Sequence, residues 1–181
     1  RALLIEVRDT IAPVITAALQ DAAYEISAAP YTQQISAQDV SGVRYVVNDT
    51  RFKIYQNGTF VVPARTTAGI YHVKVTVLDR FSNNVTSSAD MTITDTVAPT
   101  WAAGFRSSFY LVEYGRTGFK QYVQAKDLDT ITHYTVNDTM FLITMFSTLA
   151  VIINSTMLNA GTYNIEVRAY DKSGNFAVNG T

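Results

Sequence analysis

Hydrophobic and polar residues alternate most clearly in Tyr71-His72-Val73-Lys74-Val75-Thr76-Val77, where Tyr71, Val73, Val75 and Val77 share one face. Tyr163-Asn164-Ile165-Glu166-Val167-Arg168 repeats the pattern in phase. A period of two with one apolar face predicts a half-buried strand of an antiparallel sheet. Most other segments are short runs rich in Val, Ile, Thr, Tyr and Phe, punctuated by Gly, Asn, Asp and Pro, and these also read as strands. Helical signals are scarce. The stretch 14–29 is open to two readings: a helical turn at Ala17-Ala18-Leu19-Gln20, or an irregular edge strand. The first eight residues, Arg1-Ala2-Leu3-Leu4-Ile5-Glu6-Val7-Arg8, read as a strand with no partner nearby. Leu3, Ile5 and Val7 form its apolar face, Glu6 and Arg8 point the other way, and Leu4 falls outside the alternation.

Two halves of the chain match in order. Asp9-Thr10-Ile11-Ala12-Pro13 returns as Asp95-Thr96-Val97-Ala98-Pro99, and Ala37-Gln38-Asp39 as Ala125-Lys126-Asp127. The stretch from Arg44 to Phe52 answers His133 to Phe141, and Ala68 to Asp79 answers Ala160 to Asp171. The offset drifts from 86 residues at Asp9 to 92 at Tyr71, as it does when loops vary between duplicated domains. Repeats of this size with about seven short strands and regular turns predict two tandem antiparallel β-sandwiches of Ig-like type, over 9–94 and 95–181.

The ends of the chain are out of step with these modules. In the first, Asp79 is followed by a loop and a closing strand, Ala89-Asp90-Met91-Thr92-Ile93-Thr94. In the second, Asp171 is followed only by residues 172–181. The missing pattern stands at the amino end, where residues 1–8 run into Asp9-Thr10. Aligned on the aspartate, Leu3, Ile5 and Val7 take the places of Ala89, Met91 and Ile93. Residues 1–8 are therefore expected to act as a donor strand completing the second domain of a neighbouring copy, by adding to an open sheet edge. Burial of three aliphatic side chains contributes about 1.5–3 kcal/mol each before ordering costs. Such a contact does not close on itself and propagates as a head-to-tail fibre. Two alternatives stand beside it: a first strand folded back onto its own chain, and a piece cut from a longer repeat protein.

Composition narrows the chemistry. The net charge is −1 without a basic run, so nothing points to nucleic acid or an anionic membrane surface. No apolar stretch approaches the roughly 18 residues of a membrane span. Cysteine is absent, which excludes disulfides and thiolate metal sites. The only histidines, His72 and His133, occupy non-equivalent, outward strand positions and suggest neither a catalytic nor a zinc arrangement. No catalytic residue and no metal ligand set is assigned, and no enzyme activity is expected. By contrast, six of the ten asparagines lie in Asn-x-Thr: Asn48, Asn57, Asn84, Asn137, Asn154 and Asn179. Chance gives about two at this Ser and Thr content. Most are expected at turns, where a glycan stays clear of the core, and Asn48 and Asn137 are equivalent. The pattern predicts N-linked glycans and an extracellular location.

The Asp-Thr-x-Ala-Pro entry, the Ala-x-Asp ahead of the Tyr-x-Val strand, and Ala160-Gly161-Thr162-Tyr163 through Asn175 resemble the cadherin-like and bacterial Ig-like repeat families. The resemblance implies the sandwich fold and is nearly silent on activity. Cadherins bind calcium between domains, and Asp127, Asp129, Glu113, Asp39 and Glu25 fall near the positions where that family places ligands. Against the six to eight oxygens that calcium requires, solvated turn aspartates are the preferred reading. An inward Lys53, opposite the apolar Leu142 of the second module, would allow the lysine–asparagine cross-link of pilin-like Ig domains. A cysteine-free, low-charge chain rich in Asn-x-Thr, with an amino-terminal donor strand, is similar to the subunits of the thread filaments of thermoacidophilic archaea. That likeness implies a homopolymeric, pilus-like appendage serving adhesion and cell–cell or biofilm contact, with its target unknown. The competing expectation is a fragment of a large surface adhesin or S-layer protein.

Overall fold

The computed structural model describes residues 2–115 and 118–179. Arg1 of the expected donor strand, and Gly180 and Thr181 of the last sequon, lie outside them. The chain divides into two units, Arg1–Thr94 and Asp95–Thr181. Among the described residues there is no α-helix, and no helix long and apolar enough to cross a membrane. Each unit is an Ig-like β-sandwich.

Unit 1 contains nine strands: β1 (Val14–Ala17), β2 (Ala22–Glu25), β3 (Tyr31–Gln34), β4 (Ser36–Gln38), β5 (Arg44–Val47), β6 (Lys53–Ile54), β7 (Thr59–Val62), β8 (Gly69–Leu78) and β9 (Asn84–Thr94). One sheet runs β2-β9-β8-β5; the other strands form β3-β7-β6 and the pair β1-β4. The alternation read in the sequence is realised on β8, where Tyr71, Val73, Val75 and Val77 are all buried and the residues between them are not. Phe52 bridges the layers, lying 5.7 Å from the Phe60 ring of β7 and 5.5 Å from the Tyr71 ring of β8. The stretch 14–29 resolves into β1 and β2, so the edge-strand reading holds and the helical turn does not form. Hydrogen bonds from neighbouring strands outweigh the helix propensity of two alanines and a leucine.

Unit 2 contains β10 (Thr100–Ala103), β11 (Lys120–Lys126), β12 (Ile131–Val136), β13 (Phe141–Phe146), β14 (Leu149–Asn154), β15 (Val167–Asp171) and β16 (Phe176–Asn179). Its sheets are β10-β11-β14-β13 and β12-β15-β16. The duplication extends to detail. The first strand of each unit carries a register shift at the same place, Ile15/Ala17 and Trp101/Ala103. The Tyr45 hydroxyl accepts from the Ala37 N–H, and that of Tyr134 from the Ala125 N–H. The Tyr71 hydroxyl donates to the Thr67 carbonyl, and that of Tyr163 to the Asn159 carbonyl.

The hairpin between β6 and β7 turns at Asn57-Gly58, as the sequence suggests. Gly58 has φ +82°, and a Cβ there would lie 2.0 Å from the Ile35 carbonyl oxygen, so only glycine fits. Lys53 corrects an expectation: it is exposed on β6, and its counterpart Leu142 is exposed as well. Neighbouring Phe52 and Phe141 take the inward positions, which in a strand sends the next residue outward. The cross-link idea, which needed an inward lysine, loses its basis.

Candidate functional site

The two units differ where their closing strands lie. In unit 1, β9 pairs with the whole of β8, from Gly69↔Ile93 to Leu78↔Asn84, and its other edge pairs in parallel with β2. In unit 2, β16 pairs with β15 only from Tyr170↔Phe176 to Val167↔Asn179. Val167 corresponds to Val75, so residues 161–166 correspond to the first half of β8. They form no strand and have no strand partner among the described residues. The counterpart of β2 is also missing, since residues 107–114 form no strand.

Between these two segments lies a cavity of about 430 Å³, lined among others by Phe105, Phe119, Phe141, Leu158, Tyr163 and Ile165. Burial follows the same boundary. Tyr71 and Val73 are 7% and 1% exposed, whereas their counterparts Tyr163 and Ile165 are only half-buried. At Val167, where pairing resumes, burial is again complete. Unit 2 thus carries a slot with apolar and polar lining, flanked by two segments, 107–114 and 161–166, that form no strand.

Residues 2–13 form no strand, and Leu3, Ile5 and Val7 are 86%, 74% and 90% exposed. Their counterparts on β9, Ala89, Met91 and Ile93, are buried at 6%, 0% and 3%. Glu6 and Arg8 pair with each other in solvent. Leu4 corresponds to Asp90, an exposed position of β9.

A second feature occurs once in each unit. Carboxylate oxygens of Asp9, Asp39 and Asp79 lie within 4.8 Å of one another, as do those of Asp95, Asp127 and Asp171. Asp79 and Asp171 are buried, and each is held by an asparagine four residues on. The Asn83 side-chain amide donates to Asp79 Oδ2 (2.6 Å) and to the Asp9 carbonyl (3.2 Å), while the Phe81 and Asn83 N–H groups donate to Asp79 Oδ1. In unit 2, the Asn175 amide donates to Asp171 Oδ2 (2.9 Å) and the Asp95 carbonyl (3.0 Å), and its N–H to Asp171 Oδ1. This network ties the entry of each module to the hairpin that leads into its last strand. The Ser41 hydroxyl and N–H both donate to Asp39 Oδ1, holding that carboxyl below its ordinary range.

The expectation of solvated turn aspartates therefore does not describe Asp95, which is buried with Asp171. Glu113 lines the cavity rather than joining a cluster, and Glu25 accepts from the Thr94 hydroxyl. A hard cation such as Ca²⁺ suits carboxylate oxygens, but three side chains supply about half of its six to eight ligands. In each cluster the most buried carboxylate already accepts from an asparagine.

The sequon asparagines occupy different environments. Asn57 and Asn84 are exposed, Asn57 in the β6–β7 turn and Asn84 as the first residue of β9 rather than in a turn. Asn154 ends β14, and its amide donates to the Thr156 carbonyl. Asn179 ends β16, and its Oδ1 accepts from the Phe105 N–H at 3.3 Å. Asn48 bonds to β8 beside it, and Asn137 to Asn164 and Glu166 ahead of β15. The histidines belong to neither the slot lining nor the clusters: His72 pairs with Asp90 on the outer face of β8 and β9, and the His133 ring stacks on Tyr170 at 4.5 Å.

No protein-family model matches the sequence, and no curated protein matches it. Solved structures resemble it in outline. A four-domain extracellular fragment of protocadherin gamma B7 is 15% identical with a TM-score of 0.45; the match covers 94% of this chain and 48% of that one. The titin domains Z1Z2, solved in complex with telethonin, are 16% identical with a TM-score of 0.43, covering 96% and 95%. The human desmocollin-1 ectodomain is 15% identical with a TM-score of 0.38, covering 96% and 36%. The chain spans about half the length of the protocadherin fragment. The likeness is one of fold outline, and the functional argument rests on the chain's own residues.

Proposed function

We propose that this chain is a structural subunit of an extracellular, N-glycosylated, adhesive filament assembled head to tail, in which residues 2–8 of one copy enter the slot of unit 2 of the next. One observation carries the proposal. The slot corresponds to the place that residues 88–94 of β9 fill in unit 1, and residues 2–8 carry the inward pattern of that same stretch. An unpaired, apolar sheet edge is a template for strand addition, and an incoming strand satisfies the backbone on both sides while its alternate side chains fill the pockets.

The β8–β9 register sets the pairing. Leu3 lies opposite Ile165, Ile5 opposite Tyr163, and Val7 opposite Gly161. Leu4 takes the outward place of Asp90 and faces Asn164 across the rim. Because donor and slot belong to different units, each added copy presents a fresh slot, and growth does not terminate. The six sequons support an exterior location, and the tandem sandwich suits a load-bearing rather than a chemical role.

The chain contains no cysteine, so a designed pair reports without background. Thr92 pairs with Ile70, which places Glu6 opposite Thr162, both on the outward face. Oxidised Glu6→Cys/Thr162→Cys protein is expected to run as a covalent ladder of dimers, trimers and higher species that reduction collapses. A product confined to internally cross-linked monomer, or no cross-link at all, would sink the proposal. A polypeptide several times longer than this sequence would favour a tandem repeat within a large surface adhesin, its slots filled from its own sequence.

A further inference from the structure

Asn48 and Asn137 hold equivalent places, each following the strand (β5 or β12) that pairs with the long central strand of its sheet. In both units the main-chain N–H makes the last regular ladder bond, Asn48 N–H to the Lys74 carbonyl and Asn137 N–H to the Glu166 carbonyl. The side chain then does what the departing backbone no longer does. Asn48 Oδ1 accepts from the Lys74 N–H at 2.9 Å, and its amide donates to the His72 carbonyl at 3.4 Å. Asn137 Oδ1 accepts from the Glu166 N–H at 2.8 Å, and its amide donates to the Asn164 carbonyl at 3.0 Å. Each carboxamide therefore grips the neighbouring segment, β8 in unit 1 and residues 164–166 ahead of β15 in unit 2, with both its oxygen and its nitrogen.

The geometry of such a grip selects one amide hydrogen. Oxygen and nitrogen engage the same edge of the strand, so the hydrogen in use is the one on the same side as Oδ1. A sugar on this nitrogen makes a secondary amide, and secondary amides keep the substituent on the oxygen side and the remaining hydrogen opposite it, the reverse arrangement being strongly disfavoured. Glycosylation would therefore replace the very hydrogen that the grip uses. Asn57 and Asn84 differ. All four asparagines are exposed, but among the described residues neither the Asn57 nor the Asn84 side-chain nitrogen donates a hydrogen bond; Asn57 uses only its Oδ1, accepting from the Thr59 N–H at 3.0 Å.

We propose that the sequons divide by function: Asn48 and Asn137 are strand clamps that stay unglycosylated in the folded protein, and Asn57 and Asn84 are glycan acceptor sites. The acceptor half rests on the glycoprotein reading given above, whereas the clamp half stands on hydrogen bonding alone.

Two measurements separate these halves. Glycopeptide mass spectrometry on the protein purified from its native cells is expected to find sugar on Asn57 and Asn84 and bare Asn48 and Asn137. Sugar on Asn48 or Asn137 in folded material overturns the division, and a protein without sugar anywhere overturns the acceptor half together with the glycoprotein reading. The clamps are read by melting. Thr50→Ala and Thr139→Ala destroy the sequons but keep the asparagines, and should leave the midpoint unchanged. Asn48→Asp and Asn137→Asp keep the acceptor oxygen but lose the donor, and should lower the midpoint of the affected unit by about 4–8 °C, the shift that follows from the loss of one such bond in a domain of this size. Equal midpoints for the two kinds of variant would overturn the clamp assignment, whatever the glycan map shows.

Discussion

Tyr24 and Tyr31 stack with ring centroids 4.6 Å apart, and the packing buries the Tyr24 hydroxyl where no hydrogen-bond partner reaches it. Desolvation, with Tyr31 and then Tyr71 adding to it, pushes this phenol up to about 12. Because the folded value lies above the ordinary 10.0, the fold disfavours the phenolate. The contribution is intact below pH 10 and is lost as pH rises towards 12. Unit 1 should therefore lose stability across that window, and the Tyr24→Phe variant should be spared part of the loss. At neutral pH the same variant should be as stable as the parent or slightly more so, since it removes a buried hydroxyl that lacks a partner. Alkaline melting followed by near-ultraviolet dichroism checks both; a variant that tracks the parent through pH 10–12 would show that Tyr24 is not responsible. None of this is visible in the sequence, where Tyr24 is one of eleven tyrosines and its partner Tyr31 lies beyond a loop.

At the scale of the element, alternation made β8 readable, and the same alternation in residues 161–166 promised an equal strand. Only Val167–Asp171 is one. Period two reports which face a residue can bury, but a strand also needs neighbours to complete its ladder. Among the described residues, 161–166 have the Asn137 bonds along one edge and no strand along the other. The carboxylate clusters were hidden for a related reason. All six aspartates lie in the matched blocks of the repeat, so the signal was present, but their convergence depends on loops whose direction no periodicity encodes. The asparagine four residues after Asp79 and Asp171 was the legible trace of it. Asn175→Ala would leave the buried Asp171 Oδ2 and the Asp95 carbonyl without this donor. A buried group stripped of its partner costs about 1–3 kcal/mol, and each 1 kcal/mol lowers the midpoint of such a domain by about 4–8 °C. Calorimetry should show that loss in unit 2 alone, with Asn83→Ala producing its mirror image in unit 1. An unchanged midpoint would mean that the network is dispensable.

At the scale of the whole molecule, duplication supplies an internal control, because β9 pairs along the whole of β8 in unit 1, whereas among the described residues of unit 2 β16 pairs only with Val167–Tyr170. Two sandwiches of nearly equal length should then differ in stability for a reason confined to one segment. Unit 1 buries Ala89, Met91 and Ile93 in its own core, while unit 2 leaves the corresponding cavity open. Monomeric protein lacking residues 1–8 should melt in two steps, with unit 2 the lower. On the proposed assembly, a synthetic peptide of residues 1–8 should bind the folded slot and not the unfolded chain, and so raise only the lower step. At a free concentration a hundred times its dissociation constant it adds about 2.7 kcal/mol, which moves the midpoint on the order of 10–20 °C. A peptide carrying Ile5→Asp should add nothing, because a carboxylate would enter the position that Met91 fills in unit 1 and would be desolvated there without a partner. Equal shifts from both peptides would mean that the strand binds by its backbone alone and that the inward face does not select it. A peptide that raises the upper step would place its site on unit 1, and the correspondence between residues 2–8 and the second half of β9 would then have no bearing on assembly.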